Sequence, residues 1–151
     1  MARLSSDNRE CPSFLDLQAG DLKRLLAGDE TQLWQSIALH LSAGQRQIST
    51  GEHEDCLLCR TPEDEVETLI DNLEALATRR KDKVYFEPSE PTFELSFERT
   101  RAGGIKVEAW LDAGNGASGI YTWDACGIRF YTNDELLVSF IEEIRKDFPG
   151  Q

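Results

Sequence analysis

The sequence predicts an α+β domain: one antiparallel β-sheet of about five to seven strands with two amphipathic helices packed on one face. Three observations lead there. Two segments, near residues 61–80 and 132–150, carry helix start signals followed by apolar residues at spacings of three and four. Between them lie short runs that alternate apolar with polar residues, the period of a half-buried strand. Short polar turns join those runs, and such turns pair strands antiparallel, because a parallel neighbour needs a crossover of about a dozen residues or more.

The bulk properties agree with one compact unit. A chain of 151 residues and 17.0 kDa has the size of one domain around one core, and its 40% apolar content suffices to build it. The net charge is -12 and the pI near 4.5. That field repels phosphate backbones, so nucleic acid is not an expected partner, whereas a basic protein surface would be attracted. Plain cytoplasmic acidity without any acidic binding face gives the same numbers. No apolar run reaches the roughly 20 residues that span a bilayer, so no membrane association is expected. The polar start, Met1 to Glu10, lacks the apolar stretch of a secretory signal. A soluble, cytoplasmic protein is expected, in which Cys11, Cys56, Cys59 and Cys126 are thiols.

Taken in order, residues 1–12 are expected as a flexible tail and 13–151 as a single domain. Ser13 to Ala27, with Phe14, Leu15, Leu17, Leu22, Leu25 and Leu26, is expected to contain a short helix capped by Asp21. From Leu33 the period changes: Ile37, Leu39 and Leu41 alternate with Ser36, Ala38 and His40, as in a strand. Ser42 to Gln45 is a turn, and Arg46 to Gly51 the returning strand of a hairpin. Alanine and leucine at helix-compatible spacing keep a helix open as the alternative.

The first main helix starts at Thr61 as N-cap, with Pro62 at the first position and Glu63, Asp64 and Glu65 in the first turn, where the dipole favours anions. Val66, Leu69, Ile70, Leu73, Leu76 and Ala77 fall on one face, and Arg79, Arg80, Lys81 and Lys83 follow. Strands are then expected at Val84–Phe86, at Phe93, Leu95 and Phe97, at Ile105, Val107, Ala109 and Leu111, at Ile120–Trp123, and at Ile128–Tyr131. Thr132 or Asn133 caps the last helix, whose stripe is Leu137, Phe140, Ile141, Ile144 and Phe148, ended by Pro149-Gly150.

Few residues point to chemistry. His53-x-x-Cys56-x-x-Cys59 has metal-ligand spacing, but a structural zinc needs four ligands and no second pair exists, so an apolar strand or turn is the plainer reading and no metal is expected. The Asp112–Gly119 loop is glycine-rich, yet it lacks the Gly-Lys-Ser/Thr ending and leads into a strand where a phosphate loop needs a helix. With His40 and His53 as the two histidines, no nucleophile and base pair stands out. No enzyme, catalytic residue or cofactor is expected.

Two surfaces remain as partner-binding candidates. One is the acidic block Glu52, Glu54, Asp55, Glu63, Asp64, Glu65, Glu67, Asp71 and Glu74, from which Glu63, Asp64 and Glu67 are the chosen contacts; dipole complementation and solvation are its ordinary explanation. The other is polar-phase aromatic. If Ile105 to Leu111 face the helices with their odd positions, Trp110 points away. Tyr121, Trp123 and Tyr131 would join it beside Lys106, Glu108 and Arg129, with Asp112 and Asp124 at the rim. Tryptophan and tyrosine beside charges mark interface hot spots, although a second covered sheet face gives the same pattern.

The order of parts is similar to a known family. A strand pair, the Pro62-Glu-Asp-Glu-x-x-x-Leu-Ile-x-x-Leu helix, the Phe-x-Leu-x-Phe and Ile-x-Val-x-Ala-x-Leu strands and the capped Leu-Leu-x-x-Phe-Ile-x-x-Ile helix resemble the WapI-type immunity proteins of bacterial polymorphic toxin systems. The resemblance covers about Leu33 to Phe148, rests on periodicity, and brings no site motif. It implies a non-enzymatic antidote that binds and blocks a toxin domain, and acidity suits a nuclease toxin with a basic cleft. The alternatives are a small-molecule-binding module using the Trp110 face and a homo-oligomerising structural module.

Overall fold

The computed structural model describes residues 1–50, 56–112 and 125–150. They form an α+β fold, β1(Ala2–Ser5), β2(Ser13–Ala27), β3(Glu30–Ala43), β4(Arg46–Ser49), β5(Cys56–Cys59), α1(Glu65–Ala77), β6(Lys83–Phe86), β7(Phe93–Arg99), β8(Ile105–Asp112), β9(Ala125–Thr132) and α2(Asp134–Asp147). The strands divide between two antiparallel sheets. In the first, β1-β2-β3 run side by side and β4 and β5 lie end to end along the remaining edge of β3. The second is the meander β6-β7-β8-β9.

Alternation assigns one face of each sheet to the core. Across the first sheet, Leu4, Leu15, Leu41 and Ile48 form one row, and Ala19, Ile37 and Cys56 another. Across the second, Val84, Phe97, Val107 and Phe130 align, as do Phe86, Leu95, Ala109 and Ile128. Val66, Leu69, Ile70, Leu73 and Leu76 of α1 and Leu137, Phe140, Ile141 and Ile144 of α2 join the same cluster. Each fully buried leucine or phenylalanine there contributes about 1.5–3 kcal/mol relative to exposure. The helices pack on each other, α1 also against β5 and β6, and α2 against β1 and β2.

Three local expectations are overturned. Part of the N-terminal tail is the strand β1: Ala2 and Leu4 are fully buried against Leu17 and Leu15, and the Thr132 hydroxyl donates to the Ser5 carbonyl at 2.8 Å. The helix expected within Ser13 to Ala27 is instead β2, with a register shift between Ala19 and Leu22. At that shift Gln35 Nε2 donates to the Gly20 carbonyl (2.6 Å) and Ser36 Oγ to the Asp21 carbonyl (3.1 Å), so carbonyls displaced from the ladder keep donors. The first helix begins later than expected. Thr61 is not its cap, because the Thr61 hydroxyl accepts from the Leu33 amide at 2.9 Å. Asp64 caps it, accepting from Val66 (2.9 Å) and Glu67 (3.3 Å). Asn133 caps α2 through the Leu136 amide at 3.0 Å, as expected.

Candidate protein-binding surface

The face of the second sheet that turns away from the core carries the polar phase of its strands. Lys83, Glu98, Lys106 and Tyr131 form one row, Tyr85, Ser96, Glu108 and Arg129 the next, then Glu94, Trp110 and Gly127. Trp110 is seated flat over its cross-strand partner. A Cβ added at Gly127 would overlap the Ala109 carbonyl oxygen and stand 2.8 Å from Trp110 Cε3, so glycine is what lets the indole lie against the strand. Tyr85, Trp110 and Tyr131 are all exposed.

Charge is unevenly matched on this face. Two of its cations are taken: Arg129 Nε donates to Glu108 at 2.6 Å, and Lys106 Nζ lies 2.9 Å from Glu98 and 3.6 Å from Glu108. Glu87, Glu94 and Asp112 have no cation in an ion pair among the described residues. Together with Pro91, Phe93, Trp110 and Ala125 they line a cleft of about 440 Å³. Burial pushes the Asp112 carboxyl up, and the charge of Glu87 adds to it. Tyr85 is pushed up to about 12, by burial first, then by its hydrogen bond to Glu87 and the charges of Glu94 and Glu87. Its hydroxyl donates to Glu87 Oε2 at 3.1 Å.

Glu87 and Tyr85 also belong to a second cleft, of about 600 Å³, bounded by Gln32 and Trp34 of β3, by Pro62, Glu63 and Glu65, and by Thr68 and Asn72 of α1. Glu65 is engaged inside it, accepting from the Ser89 hydroxyl at 2.6 Å and from the Cys59 and Ser89 amides. Glu63 is exposed at its rim. The two clefts meet at Glu87 into one acidic surface studded with Trp34, Tyr85 and Trp110.

The residues expected to contact a partner are thus distributed. Trp110 and Asp112 share the first cleft and Glu63 lines the second. Asp64 is spoken for as helix cap and as partner of Arg60, 2.7 Å away. Glu67 is exposed on α1 outside both clefts, and Glu74 pairs with Arg145 at 2.7 Å. Tyr121, Trp123, Asp124, Glu52, Glu54 and Asp55 lie outside the described residues, as do His53 and most of the glycine-rich loop. Trp34, Tyr85, Glu87 and Glu94 were not picked out by sequence reasoning. Tyr85 and Glu94 sit in the polar phase of alternating strands, a signal that was there to use.

Cys56 and Cys59 are both buried. The Cys59 thiol donates to the Thr61 carbonyl at 2.7 Å, and burial pushes its pKa up, away from reactive thiolate. Among the described residues no three side chains are grouped to hold a metal ion, and no helix is long and apolar enough to cross a membrane.

Comparison with curated proteins and with solved structures returns no match. Comparison with protein families does: the sequence profile of the immunity protein WapI-like family fits residues 4–149, nearly the whole chain and all its described elements from Leu4 onward. With that coverage, the chain belongs to the WapI-like family of immunity proteins.

Proposed function

We propose that this protein neutralises a cognate basic toxin domain by direct binding, without a reaction of its own, and that the surface spanning the two clefts is where the toxin docks. The supporting observation is the set Glu87, Glu94 and Asp112, three carboxylates lacking a cation partner among the described residues, beside the exposed rings of Tyr85 and Trp110. An arginine or lysine of the toxin entering this cleft offsets the burial, and with it the Glu87 charge, that raise Asp112, and gains contact with an aromatic face. The net charge of -12 steers such a partner from a distance. Tryptophan and tyrosine supply rigid area around the ion pairs, the usual composition of a binding hot spot.

The test is co-expression with basic toxin domains of polymorphic toxin systems, read as growth, together with binding measured over a salt series. Wild type restores growth and its affinity falls with salt. Trp110→Ala and Glu94→Arg, checked for native circular dichroism, each weaken binding by about thirtyfold or more, the size of a hot-spot loss of about 2 kcal/mol. Salt-independent affinity, or full affinity in both variants, would place the contact elsewhere.

A further inference from the structure

The longest hairpin outruns its neighbours. β1 pairs with β2 only as far as Leu17, and β5 pairs with β3 only from Trp34 onward. Beyond the register shift, Leu22–Ala27 has β3 on one edge and, among the described residues, no strand on the other. Leu22 and Lys23 lie opposite Gln35 and Trp34, which β5 still flanks, so the two-stranded part of the arm is Arg24–Ala27, four residues at about 3.4 Å each or roughly 14 Å. A lone ribbon of that kind is marginal in water, and its open edge invites association. This arm is also apolar where it should be wet: Leu22, Leu25 and Leu26 are 54%, 40% and 79% exposed. Lys23 and Arg24 lie between them, a basic stretch within a chain of net charge -12. Arg24 is exposed and forms no ion pair among the described residues.

We propose that the arm is a self-association element that seats in the acidic cleft of a second copy of this chain, Arg24 against Glu87 and Glu94 and Leu22 and Leu26, which share its face of the strand, against Trp110, with the exchange made reciprocally about a two-fold axis. Charge complementarity selects this occupant. The arm offers cations and apolar side chains, and the cleft offers carboxylates without cations beside an exposed indole. Simple edge-to-edge pairing of two arms is the poorer arrangement, since it gathers Lys23 and Arg24 of both copies into one patch. The reciprocal dimer gives each copy the cation its cleft lacks and covers Leu22 and Leu26 of both arms. It goes beyond the immunity reading and does not rest on it, but it uses the same cleft, so dimer formation and capture of a basic partner compete.

Sedimentation velocity over a concentration series tests it with one charge-swapped pair. Wild type shifts from monomer to dimer mass as concentration rises. Arg24→Glu and Glu94→Arg each remain monomeric alone, because both arm–cleft contacts of either homodimer are then repulsive. Mixed, they form a dimer again, because each arm now meets a cleft of opposite charge. That recovery also shows that both variants fold. A wild type that stays monomeric throughout overturns the proposal, as does a dimer that either variant leaves intact, or a mixture that fails to recover. Arg24→Glu separates this idea from the immunity reading: it abolishes self-association while toxin binding persists.

Discussion

Arg60 is a deeply buried charge, with 1% of its side chain exposed. Its guanidinium donates to Asp64 at 2.7 Å, to Gln35 Oε1 at 3.2 Å and to the Pro149 carbonyl at 3.1 Å, joining the start of α1, the middle of β3 and the end of the chain. Replacing it with methionine keeps most of the volume and removes every donor. Asp64 is 23% exposed and keeps its two amide donors, so its loss is one charge-assisted bond, about 1.5–3 kcal/mol. Gln35 is buried, and leaving its Oε1 without a donor costs about 1–3 kcal/mol more. Methionine packing returns part of this, which leaves a net loss of about 3 kcal/mol for Arg60→Met, at the low end for breaking a buried pair. Urea unfolding followed by circular dichroism should therefore show the midpoint lowered by roughly 1–3 M at unchanged slope. Adding Gln35→Leu should cost less than the same substitution does in the wild type, since its oxygen is already orphaned and only the bond from its Nε2 to the Gly20 carbonyl remains to be lost. A loss under about 1 kcal/mol, or two substitutions whose costs simply add, would refute the picture of a shared buried network.

Three other outcomes are expected. Gly127→Ala, by crowding the Ala109 carbonyl and the Trp110 ring, should destabilise the fold by about 1–3 kcal/mol and shift tryptophan emission to the red as the indole is lifted into water; a thermal melt and an emission spectrum check both. Tyr85 should titrate at about 12 by ultraviolet difference or NMR, and Glu87→Gln should bring it down by removing a charge and leaving only a neutral amide oxygen to accept its hydrogen bond. Because the folded value lies above the ordinary 10.0, the stability tied to neutral Tyr85 is present below pH 10 and lost as pH rises toward 12. The Asp134 carboxyl is held below its ordinary 3.8 by the hydrogen bond from Arg99 and then by Arg79, so its contribution is present above that pH and lost as pH falls through the lowered value. Asp134→Asn should flatten the acid limb of the stability profile, measured as urea midpoints from neutral pH down.

How the sequence encodes the fold differs sharply between its elements. α1, α2, β7 and β8 were legible because a strong apolar period sits on each and is used as written: Leu69, Leu73 and Leu76 are buried, and Phe93, Leu95 and Phe97 alternate with half-buried or exposed residues. β2 was misread because Leu22, Leu25 and Leu26 stand at helical spacing in a stretch of helix-favouring residues. Their spacing reports no buried face at all, since these three leucines are exposed; pairing with β3 decides the backbone. Capping failed by three residues because Thr61 is claimed by the distant Leu33 amide, a partner no local pattern reveals. The clefts were half legible. Alternation points Trp110 and Tyr85 outward, but only the sheet register brings Glu94 opposite Trp110, and only folding brings Glu87 beside Asp112 and Trp34 near α1.

The pairing of the first strand with the last helix bears on how the protein is made. The Arg3 amide donates to Glu143 at 2.7 Å, and the Ala19 amide to Asp147 at 2.8 Å. On the ribosome, β1 and the first hairpin emerge well before the helix that covers them, which is synthesised 140 residues after Arg3 at Glu143. Until then Leu4, Leu15, Leu17 and Leu39 face solvent as a ready surface for chaperones or for wrong pairing. A contact spanning 140 residues is of the non-local kind whose closure slows folding. Under the proposed immunity role, the protein would then have to be stockpiled in advance, since fresh synthesis delivers no finished fold until α2 has docked.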